Sequence, residues 1–292
     1  MMMPSTRTGE DPLRCVMRDG SICPYQPIPL GDLKLTHWMR YKIYRSRKKT
    51  AIIDTPSYDK KLSIIVPYRH REEHLKIFPA YLHKFLNSEK IKHKIFIIEQ
   101  HDNKPFNRAK LLNVGASLAM DQHDYFCFHD IDMLPQTATY AYINHPLLLA
   151  NSVSQFDIES NHPTYFSGAI LLTKKDLVKT NGFSNQYWHW GGEDDDFLMR
   201  CLLSGLTPVA YKEGRFQSLP HKKTVTQTAD GSYHEDEKTI AYLDTLYQKN
   251  KQRYKRMRRG VTDFQHEGLN TLQYKIVNQE QHELYTKIAV EL

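Results

Sequence analysis

The chain has 292 residues, 40% of them apolar, and its 40 Lys and Arg outweigh 33 Asp and Glu to give a formal charge of +7. That length and apolar share point to a soluble globular protein with a sizeable core in one large domain or two ordinary ones. No run approaches the roughly 18 apolar residues of a membrane span, and the opening MMMPSTRTGE lacks the apolar stretch of a secretory signal, so a cytoplasmic protein is expected.

Residues 1–60 carry scattered prolines and little periodicity, which predicts an irregular N-terminal extension. It holds one of two basic clusters, YKIYRSRKK (41–49); the other is KQRYKRMRR (251–259). Both read first as solvated charged faces, and then as surfaces for peripheral contact with an anionic membrane or a polyanionic glycan. The four cysteines, Cys15, Cys23, Cys127 and Cys201, form no CxxC pair, which excludes a zinc knuckle and a dense disulfide frame and fits a reducing compartment.

Regular elements begin at LSIIVPY (62–68), an apolar, β-rich run that reads as a buried strand stopped by Pro67. Leu75, Phe78, Leu82, Phe85 and Leu86 then recur at helical spacing around Pro79, and KIFIIEQ (94–100) returns as a strand. RAKLLNVGASLAM (108–120) reads as a helix, and DYFCFHDIDMLP (124–135) as a strand running into a loop. This alternation predicts an α/β fold with a mainly parallel central sheet, in a domain covering 61–292.

In such sheets ligands bind beyond the carboxyl ends of the strands. Arg69 and Arg71 follow the first strand, and Asp130 and Asp132 the third. Arginines can clamp phosphate, and two aspartates one residue apart can hold a divalent cation that bridges phosphate oxygens. His221, in SLPHKK, reads by itself as an ordinary surface or core histidine.

The most unusual stretch is WGGEDDDF (190–197), four acids after an indole and two glycines. The helical stripe Phe197, Cys201 and Leu202, with Gly205 as a stop, places these acids in the first turn of a helix, where the macrodipole favours negative charge. The dipole accounts for one or two of them. Four, beside an indole that can cover a sugar ring, suggest hydrogen bonding to sugar hydroxyls and a carboxylate acting as general base.

Six segments, PYRHREEHL, FNRAKLLNVG, DYFCFHDIDMLP, YFSGA, NGFSNQYWHWGGEDDDF and EGLNTLQY, occur in this order across residues 62–292 and resemble the successive motifs of the beta-1,4-galactosyltransferase family. The resemblance implies a GT-A fold and an inverting transfer of galactose, or N-acetylgalactosamine, from a UDP donor to the 4-hydroxyl of an acceptor sugar of N-acetylglucosamine, glucose or xylose type, with manganese. It places Pro67, Tyr68, Arg69, Arg71, Phe106, Arg108, Asp130, Tyr165 and Trp190 around the donor, and Asp132 and His221 on the metal. Glu193, Asp194 and Asp195 become the acidic group contacting the sugars, with Asp194 as the base. Gly192, Asp195, Arg253, Tyr254 and Met257 fall on the acceptor side.

Four positions depart from the family pattern. Ser218 stands where a methionine ligates the metal, which implies a shift toward magnesium or weaker binding. Asn144 stands where Cys127 would find its disulfide partner. His189 and Ser167 replace glycines. Tyr165 matches a position that goes with galactose, so UDP-galactose is the expected donor. An N-acetylgalactosaminyltransferase of capsule or chondroitin-like synthesis, using UDP-N-acetylgalactosamine, is the alternative. A non-catalytic polyanion-binding module is a more distant one, and nucleic acid is not an expected partner.

Overall fold

The computed structural model describes residues 50–51, 59–154, 166–220, 237–259, 262 and 264–292. In chain order the elements are β1 (Thr50–Ala51), β2 (Lys61–Tyr68), α1 (Glu72–Ser88), β3 (Lys92–Gln100), α2 (Arg108–Ala119), β4 (Tyr125–His129), β5 (Met133–Thr137), β6 (Leu147–Leu148), β7 (Ser152–Val153) and β8 (Ala169–Thr173). Then follow α3 (Lys174–Lys179), α4 (Glu193–Leu203), β9 (Val209–Tyr211), β10 (Arg215–Ser218), α5 (Glu237–Arg258), β11 (Lys275–Gln281) and β12 (Thr286–Glu291).

Nine strands form one mixed sheet in the order β1-β9-β6-β8-β4-β2-β3-β12-β11, and β5-β10-β7 form a smaller one. The pairings β1–β9, β9–β6, β4–β2, β2–β3 and β3–β12 are parallel, whereas β8 runs antiparallel to both neighbours and β11 to β12. The expected mainly parallel α/β sheet is therefore present. Its central strands are continuous apolar runs because both faces are covered: β2 is buried from Leu62 to Tyr68, and β4 throughout. Thr50–Ala51, in the stretch read as an extension, pairs with β9 at the sheet's far edge.

Pro67 does not stop β2, which runs on to Tyr68. Pairing with β4 ends at Ile65 opposite Phe128, so near Pro67 the strand has only β3 beside it, an edge-like setting that tolerates a missing N–H. Pro79 likewise lies inside α1, buried with Phe78 and Leu82.

The parallel register carries the ends of β2 and β4 to the same edge, with Arg69 and Asp130 just beyond. Because β8 is antiparallel to β4, its start also lies there, and Asp130 N donates to Gly168 O at 2.8 Å. Gln100, at the end of β3, orders the following loop: its amide donates to Lys104 O and Pro105 O and accepts from Asn107 N at 2.8 Å. Among the described residues no helix is long and apolar enough to cross a membrane.

Helix α2 lies on β2 and β3 through Gly115, where an added Cβ would come within 2.4 Å of Ile65 Cγ2 and 2.9 Å of Ile98 Cγ1. Gly115→Ala should therefore destabilise the fold by about 1–3 kcal/mol through overpacking. The check is a lower denaturation midpoint in urea at an unchanged m value.

Candidate active site

Arg108, the first residue of α2, lies at the centre of the strand-end cluster. Asn107 caps the helix by accepting from Lys110 N, and its own amide donates to Asn185 O at 2.8 Å. The Arg108 guanidinium donates to Asp130 Oδ1 from Nε and from Nη2, both at 2.7 Å, and its Nη1 stands 3.8 Å from Glu193 Oε1. Burial alone would lower the Arg108 pKa, but Asp130, Glu193 and Asp194 together push it up. Burial also raises Asp130 and Glu193; the arginine opposes this, while neighbouring Asp132 and Asp194 add to it.

The acidic run opens α4 as expected, with all four acids in its first turn and Gly192 as the residue before it. Gly191 and Gly192 have φ of 104° and 92°, a left-handed backbone that suits glycine. The four carboxylates have different surroundings. Glu193 faces Arg108. Asp194 accepts from Asp195 N at 2.9 Å and, among the described residues, is in no ion pair. Burial, then Asp194, raise the Asp195 carboxyl from 3.8 to about 7, against the pull of Arg258. Asp196 is buried and accepts from Tyr187 Oη at 3.0 Å and Arg200 Nε at 2.8 Å.

Asp196 therefore belongs to the scaffold. Arg200, 2% exposed, continues from Asp196 to Glu267, donating to its carboxylate and to its main-chain oxygen, each at 2.7 Å. Glu267 Oε1 in turn accepts from Asn185 N at 2.5 Å. This joins the EGLN segment to NGFSN, where Asn181 also bonds Asn270 and Asn113 accepts from Phe183 N. Sequence reasoning did not find this network, although Asp196 and Arg200 are four apart on a helix, a readable ion-pair spacing.

Asp132 is on the turn from β4 into β5, and Ser218 ends β10 opposite Met133. Leu219 N donates to Asp132 O at 2.7 Å, so the two candidate ligand positions are neighbours. An aspartate and a hydroxyl are hard oxygen donors that suit manganese or magnesium. His221 lies outside the described residues, as does Tyr165. Beneath the aspartate pair, buried His129 bonds Tyr140 Oη and Asp130 O, and burial pushes it down to about 4, so it stays neutral.

On the expected donor side, Arg69 lies over the Phe106 ring at 5.1 Å and donates to Lys104 O at 2.7 Å. Arg71 precedes α1, and Pro67 and Tyr68 are buried, with the Tyr68 hydroxyl 3.4 Å from Glu72 Oε1. His189 N donates to Phe106 O at 2.7 Å, which ties the tryptophan-glycine segment to this corner. Trp190 is 52% exposed, its ring 5.4 Å from Tyr247 on α5.

The acceptor candidates divide between two faces of α5. Arg253 and Met257 border a cavity of about 420 Å³ between α5 and the start of α4, whereas Tyr254 lies under the Arg258 guanidinium at 5.5 Å. Arg253 Nε donates to Gln186 Oε1 at 3.2 Å, and Met257 is buried. Cys127 is a free, buried thiol in β4, and Asn144 accepts instead from Tyr142 Oη at 2.8 Å.

Two family models match the chain: the N-terminal region of glycosyl transferase group 7 over residues 46–145 and the N-terminal domain of galactosyltransferase over 148–222. Beta-1,4-galactosyltransferase 1 of Mus musculus is 34% identical over 80% of this chain and 55% of its own length. The Bos taurus protein of the same name is 32% identical over 89% of this chain and 61% of its own. The chain thus spans somewhat over half the length of these curated relatives. Among solved structures, the catalytic domain of Drosophila beta-1,4-galactosyltransferase 7 in complex with xylobiose is similar at a TM-score of 0.63 and 27% identity, over 80% of this chain and 94% of that one. A mutant of that protein in complex with manganese, UDP-Gal and xylobiose matches equally. The chain belongs to the beta-1,4-galactosyltransferase family, glycosyl transferase group 7, and its fold is of the GT-A type.

Arg200→Met should leave Asp196 and Glu267 buried without their cation and destabilise the protein by about 3–5 kcal/mol, read as a drop in thermal midpoint. The Asp195 carboxyl is raised on folding, so the native state holds its proton longer than the unfolded chain, and its contribution to stability falls as pH rises. Asp195→Asn should therefore gain stability over the parent between about pH 4 and about pH 7, a difference measured by denaturation at both ends of that window.

Proposed function

We propose that this chain, as a member of that family, is an inverting, metal-dependent transferase that moves galactose from UDP-galactose to the 4-hydroxyl of an acceptor sugar of N-acetylglucosamine, glucose or xylose type. The observation that carries this reading is the arginine bridge between the strand-end aspartate and the acidic helix start, which sets a fixed positive charge that would suit a diphosphate beside a group of carboxylates. Galactosyltransferase names on the relatives, and the UDP-Gal and xylobiose in the neighbouring structure, support donor and acceptor of this class.

An inverting displacement needs a base on the face opposite the leaving group. Asp194 takes that role: Glu193 and Asp196 are committed to arginines, while Asp194 is in no ion pair among the described residues. It would accept the proton of the acceptor hydroxyl as that oxygen attacks the anomeric carbon. Asp132, with Ser218 beside it and His221 further along the chain, would hold manganese, which supplies positive charge to the departing diphosphate. Arg69, Arg71 and Arg108 add to that charge, Phe106 and buried Pro67 and Tyr68 shape the base corner, and Trp190 on its glycine pair covers the sugar and excludes water. Gly192 and Asp195 line the acceptor side. The free Cys127 fits work in a reducing compartment, and the basic face of α5 suits peripheral contact with an anionic surface.

UDP release measured with UDP-galactose and UDP-N-acetylgalactosamine against the three acceptor sugars tests the reading. Acceptor-dependent release with UDP-galactose is expected, reduced by about 10²–10⁴ in Asp194→Asn and lost in Asp132→Ala. Chelation should abolish release and manganese restore it, and Ser218→Met should shift preference from magnesium toward manganese. Equal release in the parent and both aspartate variants would refute it.

A further inference from the structure

The stretch that follows β10 has little backbone freedom of its own, and α1 restrains what is left. In SLPH (218–221) the proline ring locks φ at Pro220 and disfavours helical conformations at Leu219 before it, so the ψ angle of Pro220 sets the direction in which the chain leaves toward His221. Two hydrogen bonds hold this stretch. Leu219 N donates to Asp132 O at 2.7 Å, and His74, in the first turn of α1, has its Nε2 3.2 Å from Pro220 O. A carbonyl only accepts, so Nε2 carries the proton and donates. Pro220 has no N–H; its oxygen is its only main-chain hydrogen-bonding group, and rotating ψ would swing that oxygen off the imidazole. The His74 residue is 7% exposed and 146 positions away in sequence, on a helix whose N-cap is Arg71 of the donor corner.

We propose that His74 is a positioning residue for the metal site: by holding the Pro220 carbonyl it fixes the end of β10 against Asp132 and so raises the affinity for a divalent cation. The inference rests on the reading of Asp132, Ser218 and His221 as metal-holding residues. Ligands that are loose before binding must be ordered by it, at a cost subtracted from affinity, and a segment held in advance avoids that cost. Helix α1 reaches the small sheet at a second point, where Tyr81 Oη donates to Pro135 O at 2.9 Å and Pro135 pairs with Phe216 of β10. The two bonds are alike in kind. The Tyr81 bond docks the helix on β5, whereas the His74 bond acts on the stretch that leads from one candidate ligand to the next, and only the second is expected to bear on the metal.

The test is manganese binding to the full chain, read from the electron paramagnetic resonance signal of the free ion, which needs no turnover. His74→Leu should raise the dissociation constant about tenfold. His74→Gln, whose amide N–H reaches nearly as far as Nε2, should bring it back close to the parent, and His74→Asn, one methylene shorter, should not. Tyr81→Phe should leave it unchanged, and Asp132→Ala should abolish binding. An unchanged constant in His74→Leu and His74→Asn, an equal loss in all three His74 variants, or an equal loss in Tyr81→Phe overturns the inference. Where circular dichroism shows that His74→Leu does not fold, the contrast between His74→Asn and His74→Gln decides. UDP release from UDP-galactose is measured alongside. The manganese concentration for half-maximal rate should rise in His74→Leu by the same factor as the dissociation constant, with kcat at saturating manganese retained. The expected binding pattern in a protein that releases no UDP with any acceptor would support the role of His74 and sink the transferase reading. Release in a protein whose manganese affinity is indifferent to His74 sinks the inference alone, and a parent that binds no manganese overturns the metal assignment and the inference with it.

Discussion

A single guanidinium holds the two halves of the candidate site together. Arg108 opens α2, Asp130 follows β4, and Glu193 opens α4, so one side chain ties three elements at the edge where the parallel strands end. Its side chain is 16% exposed, which makes the arrangement electrostatically strong and also demanding, because removing the arginine would leave Asp130 and Glu193 largely out of water without their cation. The arginine cannot release its proton, so the cluster keeps a fixed positive centre while the acids around it titrate. A diphosphate entering this corner would meet that charge already oriented, with little reorganisation left to do.

The same economy of charge explains how four acids can share one helical turn. The macrodipole of α4 and the free N–H groups of its first turn favour all of them, but repulsion among neighbours would outweigh that within a few ångströms. Different partners take them up: Arg108 for Glu193, Arg200 and Tyr187 for Asp196, and Arg258 for Asp195. Asp194 stays with a main-chain hydrogen bond and no ion pair among the described residues. With Glu193 and Asp196 taken up by arginines, Asp194 keeps its carboxylate on the main chain alone among the hydrogen bonds of the described residues, and the buried Arg200–Glu267 link fastens the turn to the EGLN segment.

The sequence made β2, α1, β3, α2 and β4 legible because each is a long apolar run or a clear helical stripe, and the acidic start of α4 was legible from Phe197, Cys201 and Leu202. The strands β5, β7 and β10 are short, and only pairing with one another defines them. β11 is exposed along its whole length, so nothing in its side chains marks it as a strand; the backbone of β12 does. The same limit applied at the site. Asp130 and Arg108 were each recognisable, but their contact across 22 residues depends on β4 and α2 reaching one sheet edge. The asparagines at 107, 113, 181 and 185 follow no pattern in the sequence that marks them as joined, whereas in the fold their amides bind segments far apart in sequence.

The departures from the family motifs can be weighed in the same physical terms. His189 stands where the resemblance expects glycine, and its φ of 64° is left-handed, a conformation that disfavours a side chain by about 1–2 kcal/mol. The residue is nonetheless buried, and its main-chain N–H bonds Phe106 O beside the Arg69 guanidinium. A glycine there would be free to swing with the two that follow Trp190. A histidine is restricted to a narrower range and fastened at its main chain to Phe106, so the left-handed freedom that glycine brings to this segment is left to Gly191 and Gly192.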